Sequence, residues 1–157
     1  MIKVLFICHG NNCRSPMAEF IMKDKIKKLG FGDMFEIASA ATSAEEIWNG
    51  VGNPVYPSAK DELKKHGIAC SGKKARQMVK FDYEEYDYLI GMDDANIRNM
   101  KNLFGDGNKI FKLLSFAGSG DSVSDPWYTD RFDVAFEDIN RGIDGFLKYL
   151  EEKNVIN

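Results

Sequence analysis

Short apolar runs alternate along the chain with segments of helical spacing. Ile2 to Ile7 (IKVLFI) is almost unbroken in apolar character, the pattern of a strand buried on both faces. After a short polar stretch, Ser15-Pro16 predicts a capping residue followed by a proline at the first helical position. Apolar residues then recur at Met17, Phe20, Ile21 and Ile26, and Gly30 is the expected stop. Phe35 to Ala40 reads as a second strand. Residues 41–58 carry Gly and Pro repeatedly and predict a long surface loop. A helix is expected over Ser58 to His66, ended by Gly67, and a third strand over Tyr86 to Met92. A helix from about Asp94 to Leu103, a strand over Lys109 to Leu114, a polar loop over 115–131 and an amphipathic helix over Phe132 to Leu150 complete the pattern.

Strands alternating with helices predict an α/β fold, a four-stranded parallel sheet with helices on both faces, built as a single domain over residues 1–157. No internal repeat, low-complexity tract or linker divides it. Folds of this kind bind ligands beyond the carboxyl ends of their strands, and Cys8 stands at such an end.

Bulk properties narrow the partners. A net charge of −3 offers no basic field for nucleic acid or an anionic membrane. No apolar stretch approaches the roughly 18 residues of a membrane span, and MIKVLFIC lacks a small-residue cleavage site, so it reads as a strand rather than a signal peptide. Three cysteines in no framework spacing point to free thiols and a cytoplasmic setting. A monomer is expected.

The chemistry concentrates in CHGNNCRSP, Cys8 to Pro16. A loop between strand and helix can aim several backbone N–H groups inward, and the helix N-terminus adds roughly half a positive charge. Gly10 accepts positive φ and Asn11 tolerates it, so the loop can form a nest for a tetrahedral oxyanion. Arg14 adds a planar fork for two phosphate oxygens. The same field stabilises a thiolate at Cys8, and comparable sites lower a cysteine pKa to about 3.5–7.5. Ser15 can donate a hydrogen bond to that sulfur. A nucleotide-binding P-loop would need a different glycine pattern and no thiol. Zinc is a poor fit, because Cys8, His9 and Cys13 have no second ligand pair and His66 stands alone. Attack by a thiolate on a phosphate ester also needs an acid for the leaving oxygen. Asp125, followed by Pro126 and the aromatics Trp127 and Tyr128, is the candidate, with the two rings walling a slot for a flat group.

Together, CHGNNCRSP and DPWY resemble the phosphate loop and acid loop of the low-molecular-weight protein tyrosine phosphatases. The resemblance continues through Ser39 to Ser43 (SAATS), Gly52 to Pro54, His66 to Ile68, Ala75 to Gln77 and Tyr86 to Asp93, and so covers nearly the whole chain. It implies Cys8 as nucleophile, Arg14 as phosphate clamp, Ser15 as thiolate stabiliser and Asp125 as general acid and then base. His9, Gly10, Asn11, Asn12, Cys13 and Ser15 would surround the phosphate, Trp127 and Tyr128 the aromatic ring. Asn11 and Ser39 would join in a network that holds the strained loop. The resemblance also implies phosphotyrosine-bearing proteins as substrates, no metal or cofactor, and a Cys8–Cys13 disulfide that protects the nucleophile from over-oxidation.

Departures from the family pattern matter. Eukaryotic members carry a histidine after the serine that follows HGI, where this chain has Gly72 or Lys73, so the network is expected to close differently. Glu45 stands where an aromatic often lines the pocket. Four extra residues, Trp48 to Val51, interrupt the family's pattern, and Trp48 is expected to pack against the body of the domain or, failing that, to supply aromatic surface. Asn12 replaces a usually apolar residue, and a threonine there goes with phosphoarginine phosphatases. Phosphotyrosine is the expected substrate, with phosphoarginine the alternative. Arsenate reductases of the same fold share much of the loop but need two further cysteines, and only Cys70 remains here. A non-catalytic phosphate-binding module would need neither Cys8 nor Asp125.

Overall fold

The computed structural model describes residues 1–156. A central strand β1 (Ile2–Cys8) pairs in parallel with β2 (Phe35–Ala41) on one side and β5 (Tyr88–Gly91) on the other, and β6 (Ile110–Lys112) joins the far edge. The sheet order β2-β1-β5-β6 is all parallel, with Cys8 opposite Ala41 and Ile7 opposite Gly91. Because the chain winds to one side of β1 and then returns to the other, a crevice opens at the carboxyl ends of β1 and β5. That crevice holds the loop after Cys8.

Residues of β1 alternate between two cores, as the two-residue period of a strand requires. Val4, Phe6 and Cys8 face α1 (Arg14–Lys28) and α6 (Phe132–Glu152), where Met17, Ile21, Ile139 and Phe146 are sealed from solvent. Leu5 and Ile7 face the opposite layer, with Leu89 and the Met100 of α4 (Asp94–Phe104). Full burial of a side chain such as Phe146 contributes about 1.5–3 kcal/mol. The helix α2 (Pro57–Lys65) packs on α1 and α6.

Four expectations change. α1 starts at Arg14 with Cys13 as its N-cap, so Ser15 lies inside the first turn rather than capping it. Its hydroxyl is committed elsewhere, and Pro16 still falls among the first N–H positions that lack an intrahelical partner. The expected loop 41–58 contains a hairpin, β3 (Ile47–Trp48) with β4 (Val51–Gly52), around Asn49 and Gly50, both at positive φ. That is the two-residue turn an Asn-Gly pair favours. Trp48 does not pack against the domain body; it is 70% exposed on this hairpin. Short helices also occupy Asp82–Glu85 (α3) and Pro126–Thr129 (α5), the latter inside the expected loop 115–131. No helix among the described residues is long and apolar enough to cross a membrane.

Candidate active site

A cavity of about 340 Å³ opens at the end of β1, lined by Cys8, His9, Gly10, Asn12, Cys13, Arg14, Glu45, Glu46, Asp125, Trp127 and Tyr128. The loop carries its strain at Asn11, whose φ is 59° and whose surface is 1% exposed. This conformation turns the Asn11 backbone N–H onto Cys8 Sγ, 3.3 Å away. From the other side Ser15 Oγ lies 3.0 Å from the same sulfur. The first turn of α1 points its free N–H groups and the positive end of its dipole into the same space. Gly10 is closely approached: a Cβ there would come within 3.1 Å of both Asn12 Oδ1 and Glu46 Cγ, so both side chains would have to give way by a few tenths of an ångström.

Asn11 and Ser15 do not line the cavity with their side chains. Both run behind the loop, where Asn11 Nδ2 donates to Ser15 Oγ and to Ser39 Oγ, each at 2.9 Å, and Asn11 Oδ1 accepts from the Arg76 backbone N–H at 3.0 Å. Beyond Ser39 the network ends in residues the loop motif does not contain. Ser39 Oγ donates to Glu19 Oε1 at 2.6 Å, and Lys73 Nζ donates to the Ser39 carbonyl at 2.8 Å while lying 3.7 Å from Glu19 Oε1. Of Gly72 and Lys73, the two residues the sequence left open for this part of the network, Lys73 closes it. Burial pushes the Lys73 ammonium below its ordinary value, and the Glu19 charge opposes that shift.

Arg14 is 3% exposed, and its guanidinium is anchored on three sides. Nη1 donates to the Val123 carbonyl at 3.0 Å, and Nη2 lies 2.9 Å from Asp93 Oδ2 and 3.5 Å from Asp125 Oδ2. Asp93 is itself fixed as the N-cap of α4 in a reciprocal capping box with Asn96. A buried guanidinium held this way presents its remaining donors to the cavity in one orientation. Asp125 caps α5 by accepting from the Trp127 N–H at 3.0 Å, so the carboxylate hangs over the loop beside Arg14.

Trp127 and Tyr128 stand at the mouth, 71% and 83% exposed, with Tyr56 edge-on to Trp127 at 6.5 Å. The facing rim is acidic. Glu46 Oε1 accepts from Asn12 Nδ2 at 2.6 Å, and Glu45 lies 3.0 Å from His9 Nε2. Cys13 is buried beside Cys8, and all three cysteines are free thiols. Burial, with smaller contributions from Cys8 and Asp125, pushes the Cys13 thiol up to about 12.

The family model for low molecular weight phosphotyrosine protein phosphatase matches residues 3–155. The chain belongs to this family. Among relatives, the low molecular weight protein-tyrosine-phosphatase YfkJ of Bacillus subtilis is 35% identical over 157 residues, covering 98% of both chains. Its crystal structure superimposes with a TM-score of 0.91 at 34% identity, covering 98% of this chain and 96% of that one. A drosophila arginine phosphatase also superimposes, with a TM-score of 0.83 at 28% identity, over 94% of this chain and 97% of that one.

Glu19, Asp93 and Glu46 join the site with no motif in the sequence to announce them. Glu19 is four residues before Lys23, and that spacing reads as an exposed helical ion pair. The pair does form, at 2.6 Å, but Glu19 Oε1 turns inward to Ser39.

Proposed function

We propose that the chain hydrolyses phosphotyrosine on proteins through a phosphocysteine intermediate. The observation that carries this reading is the convergence on Cys8 Sγ of the Asn11 N–H and the Ser15 hydroxyl, in a cavity shared with Arg14 and Asp125. A thiolate so placed lies beneath a tetrahedral anion held by the loop amides and the Arg14 fork.

In the first step the Cys8 sulfur pair forms an S–P bond while the bond from phosphorus to the tyrosine oxygen breaks. Protonated Asp125 gives its proton to that departing oxygen. In the second, water attacks phosphorus, Asp125 takes its proton, and the S–P bond breaks to release phosphate and the Cys8 thiolate. Arg14 and the loop amides hold the three equatorial oxygens, over which the charge is spread in both transition states. Trp127 and Tyr128 flank the ring of the substrate.

A second reading is supported by the polar Asn12–Glu46 pair and by Glu45 at the rim, which would favour a cationic leaving group, as in phosphoarginine. The aromatic mouth favours phosphotyrosine. Steady-state kinetics on matched phosphotyrosine and phosphoarginine peptides test the choice. Native chain is expected to have the higher kcat/KM on phosphotyrosine, with Asn12→Ile widening and Asn12→Thr narrowing the preference. A native preference for phosphoarginine would overturn the substrate and leave the mechanism standing.

A further inference from the structure

We propose that the groove sharing His9 with the active-site cavity is a docking site for the substrate's own polypeptide, taking an extended flank of the phosphoprotein that carries an acidic side chain. The inference rests on the reading of the chain as a phosphatase of phosphotyrosine on proteins.

His9 lines two depressions. One is the cavity over Cys8; the other is a groove of about 720 Å³ that runs between Thr42–Ser43, Gln77–Lys80 and the outer face of α4. The groove is built directly onto the loop after β1. The Thr42 N–H donates to the Cys8 carbonyl at 3.0 Å, and the Ser43 N–H to the His9 carbonyl at 3.1 Å. Gln77 Nε2 in turn donates to the Thr42 carbonyl at 3.2 Å. A polypeptide leaving a phosphotyrosine seated over Cys8 on this side crosses His9 and enters the groove, advancing about 3.3 Å per residue when extended.

Two features say what the groove holds. The first is a run of asparagines at three-residue spacing on α4, a spacing that gathers side chains on one helix face. Asparagine is a poor helix former, because its amide competes for nearby backbone groups. Asn96 has a local use: it closes the capping box with Asp93 and accepts from the Met92 N–H at 2.9 Å. Asn99 and Asn102 have none. Both are exposed, line the groove and make no side-chain hydrogen bond among the described residues. Each amide offers donors and an acceptor together, the complement of a backbone that presents N–H and C=O groups in alternation.

Charge is the second feature. The groove lining contains one lysine, Lys80, and no carboxylate, whereas the cavity rim carries Glu45 and Glu46. Nearby Arg76 is taken up by Asp82 at 3.1 Å, and Lys73 lies 3.7 Å from Glu19. Lys80 forms no ion pair among the described residues and stays exposed at the groove edge. A glutamate or aspartate on the bound flank supplies its partner, while the same residue beside Glu45 is repelled.

Steady-state kinetics of the full chain test this with phosphotyrosine peptides bearing aspartate, asparagine or lysine at successive positions on either side. p-Nitrophenyl phosphate serves as the substrate too small to reach the groove. On one flank the aspartate peptide is expected to exceed the lysine peptide in kcat/KM by about fivefold, the upper end of what an exposed ion pair supplies. Lys80→Glu should invert that order while leaving p-nitrophenyl phosphate turnover and Tm at native values. Asn99→Ala combined with Asn102→Ala should raise KM about threefold on every peptide, with kcat and the small substrate spared. Alanine is the better helix former, so this variant keeps its fold. Native rates indifferent to charge on both flanks, or an order that Lys80→Glu leaves unchanged, would overturn the docking site and leave the phosphatase reading standing. Turnover of p-nitrophenyl phosphate with no phosphotyrosine peptide hydrolysed would overturn both.

Discussion

Replacing Asn11 with alanine removes one side chain and disturbs two separate supports of the loop. The backbone there sits at φ 59°, and an alanine held in the left-handed region costs about 1 kcal/mol. Asn11 Oδ1 is also the acceptor for the Arg76 N–H, and a donor left without a partner costs about 1–3 kcal/mol. Ser15 and Ser39 keep their bonds to Cys8 and Glu19, so their losses are smaller. Taken together, Asn11→Ala should lower the unfolding free energy by about 3 kcal/mol. Urea unfolding at neutral pH measures it, and kcat/KM on a phosphotyrosine peptide should fall alongside as the Asn11 N–H drifts from the sulfur. Asn11→Gly restores left-handed freedom but not the bonds, so it should recover about 1 kcal/mol of the loss. A loss below about 0.5 kcal/mol in Asn11→Ala, within the range of ordinary surface changes, would refute the reasoning.

Asp125→Asn should slow turnover of substrates with poor leaving groups by about 10²–10⁴-fold, with a smaller effect where the group departs as a stable anion. Equal slowing of both classes would give Asp125 another role. The raised Cys13 thiol carries a pH signature: unfolded, it ionises near its ordinary value of 9.0, but folded it holds its proton to about 12. The folded chain therefore binds more protons in that window, and stability present below pH 9 is lost progressively as pH rises through 12. Urea midpoints at pH 8 and pH 10.5 should fall more steeply for native than for Cys13→Ala, and parallel slopes would contradict the burial argument.

Much of the fold was legible because strand and helix periods differ so clearly. The β1 run and the helical spacing of α1 and α6 needed no tertiary information. The hairpin at Asn49-Gly50 carries a turn signature of its own, but Gly and Pro elsewhere in 41–58 make the whole stretch read as uniform loop. Within the site, Cys8, Arg14 and Asp125 stand in patterns whose chemistry is local to each loop. Asp93 is different: its partner Arg14 is 79 residues away in sequence, and nothing near it but a capping role marks it. Glu19 was hidden for the same reason, since its two oxygens face different worlds. Sequence spacing reports the Lys23 side, while only the fold brings Ser39 and Lys73 to the other. The Ser15 cap failed because a hydroxyl close to Cys8 and bonded to Asn11 is not free for the helix end.

The covalent intermediate is the central claim, and Asp125→Asn is the protein in which to catch it, because loss of the base slows its breakdown. Rapid mixing with p-nitrophenyl phosphate, whose leaving group departs as a stable anion without help from the acid, followed by a quench and peptide mass mapping, reads it directly. One phosphoryl group is expected on Cys8, appearing with the first equivalent of released nitrophenolate and absent from Cys8→Ser. Continued turnover with Cys8 unmodified at every time point, or a phosphoryl group carried on another residue, would contradict it.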